Sequence, residues 1–421
     1  MTNDPAAIAV HVVELARAGR FDDAATLFAK RLRKVVSAEA FRLGWAGELA
    51  AIGAVTSIGT ARTEPGDAGL VRAHVPVFAQ RGSLDVIMSI DKAGALHGLR
   101  LAQSESACWQ PPAYADPRRF EEHEITLDAA PAAVSGTLTL PLGAGPWPAA
   151  VLLSGGGPFD RDETSGVNKP LKDLAWGLAS RGVAVARFDL ISHDRPELAT
   201  APGFTMSQEY VPHAVAAVRL LQQQSTVDES RVFVVGHSMG GRVAPRVAAA
   251  EPSVAGLVIL AGDATPMTQS AARVGRYLKS VSPDFVEALA HLDEQIALIE
   301  GPDLSPTLPG AGLLFNWPGS YWLELRDDDP LATAAALGKP LFIAQGARDY
   351  QVTVAEDLAR WQAGLAGRTD VTITVYDADD HLFFPGEGPS TPDGYAPPQH
   401  VDPALIADVS NWLTLPRPPR A

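Results

Sequence analysis

Two hydrophobic rhythms divide the chain. Up to about residue 50, apolar positions recur at helical spacing. Ile8, Val12, Val13, Leu15 and Ala16 form one stripe, and Phe21, Ala24, Leu27, Phe28 and Leu32 resume it after Ala18-Gly19. The pattern then shortens to β-like runs at 71–78, 84–90 and 96–101, with turn signals at Pro65-Gly66, Arg81-Gly82 and Lys92-Ala93-Gly94. Helices followed by an antiparallel meander predict a small α+β module over residues 1–105, its helices covering one face of the sheet. Residues 106–120, rich in proline, read as a linker.

Beyond it, strands and helices alternate. Strands are predicted at 124–127, 136–140, 149–153, 183–188, 231–235, 254–260, 340–344 and 371–375, with helices at 171–180, 208–223, 240–250, 354–363 and 403–412. The later strand runs are continuously apolar, as strands buried on both faces should be. The expected fold is α/β: a mostly parallel, doubly wound sheet over 121–415 with a two-strand antiparallel start. Residues 264–337 interrupt the alternation with a mostly helical stretch, read as a cap over the sheet's C-terminal edge. Residues 416–421 read as a tail.

Composition narrows the class. At 421 residues, 46% hydrophobic and 20% charged, the chain has the balance of an ordinary soluble protein with a large core. Its 34 basic and 49 acidic residues leave a charge of −15, which argues against nucleic-acid or anionic-membrane partners. The single cysteine, Cys108, excludes an internal disulfide and suits a reducing compartment. The first residues lack a basic n-region, and Glu14, Arg17 and Arg20 interrupt their apolar positions, so no signal peptide is expected. With no run long enough to span a membrane, the expected location is cytoplasmic.

The chemistry concentrates at Gly236-His237-Ser238-Met239-Gly240, between the apolar run Val232 to Val235 and a small-residue helical pattern. This is a nucleophile elbow in its strand–turn–helix context. A serine hydroxyl needs a base, and the base an orienting acid. Of the three histidines after Ser238, His291 falls in the cap and His400 just before the final helix, whereas His381 directly follows the last predicted strand. His381 is therefore the expected base. The preceding strand runs out into Gly346-Ala347-Arg348-Asp349, making Asp349 the expected acid, with Asp263, Asp379 and Asp380 as alternatives. Oxyanion donors are expected from the N–H of Met239 and, in Ser154-Gly155-Gly156-Gly157-Pro158, from Gly156. The following Asp160-Arg161-Asp162-Glu163 is read as a salt-bridge knot pinning that loop, over a reader of substrate charge. In the cap, Phe315, Trp317, Tyr321 and Trp322 cluster, and Trp317, Tyr321 and Trp322 are candidate substrate contacts. Glu294, Glu300 and Glu324 could hold a substrate amino group. The histidines and lone cysteine have no metal-ligand spacing, so neither metal nor cofactor is expected.

These stretches, together with Asn168-Lys169-Pro170, Asp173-Leu174-Ala175 and His381-Leu382-Phe383, resemble the serine α/β-hydrolase superfamily. The similarity is to bacterial members grouped with serine aminopeptidases and dienelactone-hydrolase-like esterases. Residues 1–105 resemble the uncharacterised module that precedes some of them. The resemblance implies an esterase-type acyl hydrolase with Ser238, Asp349 and His381 as triad, acting on a small-molecule acyl substrate; acyl transfer or cyclisation and peptide hydrolysis are the alternatives. Two departures stand out. Ser154-Gly155 replaces the family's His-Gly, and the elbow carries Ser238 where dienelactone hydrolases proper use cysteine. For the N-terminal module, pocket shaping or a homodimer contact is expected.

Overall fold

The computed structural model describes residues 4–66, 69–79, 82–103, 109–281, 285–286 and 289–415, which leaves Cys108 and the tail 416–421 outside the described residues. The chain forms two compact units, one of residues 1–110, 164–168 and 392–399 and the other of 111–163, 169–391 and 400–421.

In the first unit, helix Pro5–Arg17 begins where Asp4 accepts the Ala6 N–H, and it buries Ala9, Val12, Val13, Leu15 and Ala16. Ser37 caps helix Ala38–Ile52 in the same way and leads to buried Phe41 and Trp45. The strands are β1 (Val55–Ile58), β2 (Arg62–Pro65), β3 (Val71–Ala79), β4 (Gly82–Ile90) and β5 (Leu96–Gln103). They form an antiparallel sheet in the order β1-β3-β4-β5, with β2 also on β3. Val75, Val77, Val86, Met88 and Ile90 supply one apolar face of it, clustered with the helical stripe. The excursions 164–168 and 392–399 join this unit through Val167, which packs against Phe78 with Ala396. Asn168 fastens them together: its Nδ2 donates to the carbonyls of Tyr395 and Pro397, and its Oδ1 accepts the Gln399 N–H.

The second unit is built on an eight-stranded, mostly parallel sheet. Its strands are β6 (Phe120–Leu127), β7 (Val134–Pro141), β8 (Trp147–Leu153), β9 (Ala184–Phe188), β10 (Val227–His237), β11 (Leu257–Leu260), β12 (Leu341–Gly346) and β13 (Val371–Tyr376). The sheet order is β13-β12-β11-β10-β8-β9-β7-β6. β6 pairs with β7 and β7 with β9 antiparallel, and every other pair is parallel. The 106–120 segment ends in a short turn, Pro117–Arg119, and in the first residue of β6.

Every residue of β9, β11 and β12 is buried, Arg187 and Gln345 included, as expected of strands under two helical layers. On one face Val232, Val234, Leu257 and Ile259 cluster with Val243 and Val247 of helix Met239–Ala250 and with Tyr210, Ala214 and Val218 of helix Met206–Gln222. On the other, Phe233 meets Trp412 of helix Pro403–Thr414, ring centroids 5.6 Å apart. Between β11 and β12 lie helices Met267–Val281, Leu292–Glu300, Gly319–Asp327 and Pro330–Leu337, within the insertion read as a cap. Among the described residues no helix is long and apolar enough to cross a membrane.

Candidate active site

Ser238 sits between β10 and helix Met239–Ala250 with φ 52° and ψ −118°, a backbone region that costs a non-glycine residue about 1–3 kcal/mol. Neighbouring glycines make so tight a turn feasible. A Cβ on Gly236 would lie 2.1 Å from the Gly240 carbonyl oxygen, and one on Gly240 would lie 2.5 Å from that of Leu153. Strand, helix and the end of β8 thus close to distances that only glycine permits. The Ser238 N–H donates to Leu260, which anchors the turn to β11.

The hydroxyl has a partner across the sheet edge. Ser238 Oγ lies 3.1 Å from His381 Nε2, and His381 Nδ1 lies 2.7 Å from Asp349 Oδ2. A carboxylate only accepts, so Nδ1 carries the proton and Nε2 presents its lone pair to the serine O–H. Asp349 is held from several sides. Its Oδ1 accepts the N–H groups of Gln351 and Val352 at 2.7 and 2.9 Å, and its Oδ2 accepts Gln345 Nε2 at 3.1 Å. Asp380 shapes the histidine loop by accepting the N–H groups of Leu382 and Phe384, both at 3.0 Å. The sequence-derived trio therefore forms one hydrogen-bonded row.

The other carboxylates have different partners. Asp263, three residues past β11, accepts Arg242 Nη1 at 2.7 Å, and burial pushes its pKa up. Asp379 is buried, and burial together with the nearby Asp402 pushes its carboxyl up to about 8. His400 pairs with buried Asp173, and exposed His291 pairs with Glu294.

The glycine loop after β8 lies against the elbow. A Cβ on Gly156 would come within 3.3 Å of Met239 Cβ, and one on Gly155 within 3.3 Å of Ser238 Cβ. Among the described residues, neither the Gly156 nor the Met239 N–H donates to a backbone carbonyl in a turn, loop or cap. Two such donors beside a nucleophile are what an oxyanion requires. The loop's carbonyls are pinned, that of Gly155 by the Tyr210 hydroxyl at 2.8 Å and that of Gly157 by the Ser192 hydroxyl at 3.1 Å.

Behind this loop the charged run separates into distinct pairs. Arg161 binds Asp189 and Glu124, and Asp162 binds Arg187 and Lys169. Glu163 turns inward instead, with φ 55° and its side chain 2% exposed. Its Oε1 lies 2.7 Å from the Gly155 N and 2.8 Å from His237 Nδ1. Sequence reasoning passed over this contact, although its signal was present: an acid just past the glycine loop and a histidine before the nucleophile.

In the cap, Trp317 reaches the site, for a Cβ on Gly156 would lie 3.2 Å from its ring. Tyr321 and Trp322 are buried and back Trp317 rather than face open space, Tyr321 stacking on it with centroids 4.6 Å apart. Glu324 is occupied by Ser207 and Arg246, while Glu294 and Glu300 stand on the exposed side of their helix.

The chain is similar to several known proteins. A family model described as "Alpha/beta hydrolase family" matches residues 150–398. Esterase EstD of Thermotoga maritima is 35% identical over 336 residues, which cover 79% of this chain and 77% of that protein. The 2,6-dihydropseudooxynicotine hydrolase of Paenarthrobacter nicotinovorans is 27% identical over 175 residues, 40% of either chain. Among solved structures, Est1E from Butyrivibrio proteoclasticus with ferulic acid bound aligns at a TM-score of 0.44 and 17% identity, covering 61% of this chain and 91% of that one.

Proposed function

This chain belongs to the alpha/beta hydrolase family and is a carboxylesterase-like enzyme, and we propose that it hydrolyses carboxylic esters or thioesters through an acyl-enzyme on Ser238. The observation that carries the reading is the row in which His381 bridges the Ser238 hydroxyl and the Asp349 carboxylate. The name esterase on a relative that shares most of its length with this chain supports the choice of substrate class.

In the first half-reaction Ser238 Oγ bonds to the acyl carbon while His381 Nε2 takes its proton. Asp349 stabilises the resulting imidazolium and stays ionised. The carbonyl oxygen, now an anion, accepts from the Gly156 and Met239 N–H groups, each such donor contributing about 3–4 kcal/mol to the transition state. The intermediate collapses by breaking the bond to the alcohol or thiol, which leaves with the proton from His381. Water then repeats the sequence on the acyl-enzyme, releasing the acid and restoring Ser238.

The test is reaction with a fluorophosphonate, together with turnover of p-nitrophenyl acyl esters. The expected outcome is one phosphonyl group on Ser238 and loss of both signals in Ser238→Ala. Labelling or undiminished turnover by the alanine variant refutes the assignment.

A further inference from the structure

We propose that Glu163 and His237 act as one buried positioning pair for the reaction at Ser238, holding the oxyanion loop and the base loop in register from behind the nucleophile. The proposal rests on the acyl-enzyme reading above.

The geometry joins three segments distant in the chain. His237 Nε2 lies 2.8 Å from the backbone oxygen of His381, and Nδ1 lies 2.8 Å from Glu163 Oε1. The same Oε1 takes the Gly155 N–H at 2.7 Å. Elbow, oxyanion loop and base loop thus meet at a single carboxylate–imidazole contact. A lateral shift of any one would lengthen a hydrogen bond buried from water.

Donor bookkeeping, taken with an ionised Glu163, then gives the charge of the ring. A carbonyl oxygen can only accept, so Nε2 carries a proton toward His381. With Glu163 ionised, its Oε1, which also accepts the Gly155 N–H, can only accept from Nδ1. With both nitrogens protonated, His237 is an imidazolium paired with Glu163. Burial works against that charge, but the Glu163 carboxylate and the hydrogen bonds to Glu163 and His381 outweigh it and raise the ring's pKa above the ordinary value. The groups facing the ring are the Glu163 carboxylate, the His381 imidazole at 4.7 Å between centroids and the more distant Asp349 carboxylate. Phe383 lies edge-on to it at 6.4 Å.

A buried ion pair is an expensive way to fill space, since apolar residues of similar volume often stabilise a fold at least as well. Here it does what apolar residues cannot. It takes up the Gly155 N–H, fixing the peptide that precedes Gly156, and it holds the backbone of the residue whose side chain is the base.

Ring nitrogen NMR on the parent enzyme and kinetics of Glu163→Gln test the pair. At pH 7.5 the parent is expected to give a His237 resonance with both nitrogens protonated, identified by its loss in His237→Gln. Glu163→Gln leaves a neutral ring that can donate from only one nitrogen. Its kcat is expected to fall about 10–100-fold, as for a small misplacement of reacting groups, with KM within about threefold of the parent. A bare ring nitrogen in the parent, a parental kcat in the variant, or kcat and KM worsening together overturns the proposal. Should Glu163→Gln fail to fold, His237→Gln is judged by the same kcat and KM criterion, because it keeps a donor toward His381 and loses the charge. A parent that no fluorophosphonate labels refutes the acyl-enzyme reading instead, and leaves the NMR answer to stand alone.

Discussion

Asp328 grips Arg242 twice. Its Oδ2 accepts Nε at 2.8 Å and its backbone oxygen accepts Nη2 at 3.1 Å, with both side chains almost fully buried. The other carboxylate oxygen takes Arg246 Nε at 2.6 Å. Helix Met239–Ala250, which starts at Ser238, is thereby tied to the end of the cap helix Gly319–Asp327. Replacing Asp328 with alanine strands the Arg242 guanidinium with Asp263 as its remaining carboxylate partner. The expected cost is about 3–5 kcal/mol, as for breaking other buried ion pairs, read as a lowered midpoint in urea unfolding.

Glu209 predicts a pH dependence of stability. Burial pushes its carboxyl up to about 7 although two hydrogen bonds from Ser192 act the other way. The folded state therefore holds this proton more tightly than the unfolded chain, where the ordinary value is 4.5. Its contribution is fully present below pH 4.5 and is lost as pH rises through about 7, a change of about 3 kcal/mol. Glu209→Gln is expected to flatten that part of the stability–pH curve and to raise stability at pH 8 relative to the parent. Unfolding midpoints of both proteins between pH 5 and 8 check it, and parallel curves would refute it.

Asp349→Asn tests the orienting role proposed for the acid. An amide nitrogen facing Nδ1 favours the wrong tautomer of His381 and puts a donor where the serine needs an acceptor. The expected loss in kcat is about 10⁴-fold. Steady-state turnover of an activated ester measures it, and a loss under tenfold would mean that another carboxylate does the work.

Trp317→Ala probes the acyl pocket under the same reading. Removing the indole opens the space beside Gly156, so preference is expected to move toward bulkier acyl groups. The ratio of kcat/KM for a long or aromatic acyl ester to that for acetate should rise by about tenfold or more. An unchanged ratio across a p-nitrophenyl ester series places Trp317 outside the acyl site.

Much of this architecture was legible in the chain. Strand runs dominated by apolar residues marked the buried parallel sheet, because a strand covered on both faces has no side facing water. Ser238, Asp349 and His381 could be picked from their places after strands, because in this topology the loops at the strands' C-terminal ends converge. Gly236 and Gly240 announced a turn whose closest approaches a side chain would block.

Other features could not be resolved from local pattern alone. Glu163 stands in a run of four charged residues and looks like its neighbours, yet its partners Gly155 and His237 come to it only after the sheet forms. The aromatics of the cap sort the same way. Trp317 meets Gly156 while Tyr321 and Trp322 sink into the core, a division set by how helix Gly319–Asp327 packs and not by residue type. Residues 164–168 and 392–399 belong with the first unit although both lie deep within the stretch that patterning assigns to the second. Periodicity records which face of an element is buried, and so it determined the elements and their order. Which polar groups meet depends on contacts across tens to hundreds of residues, and that only the tertiary structure decided.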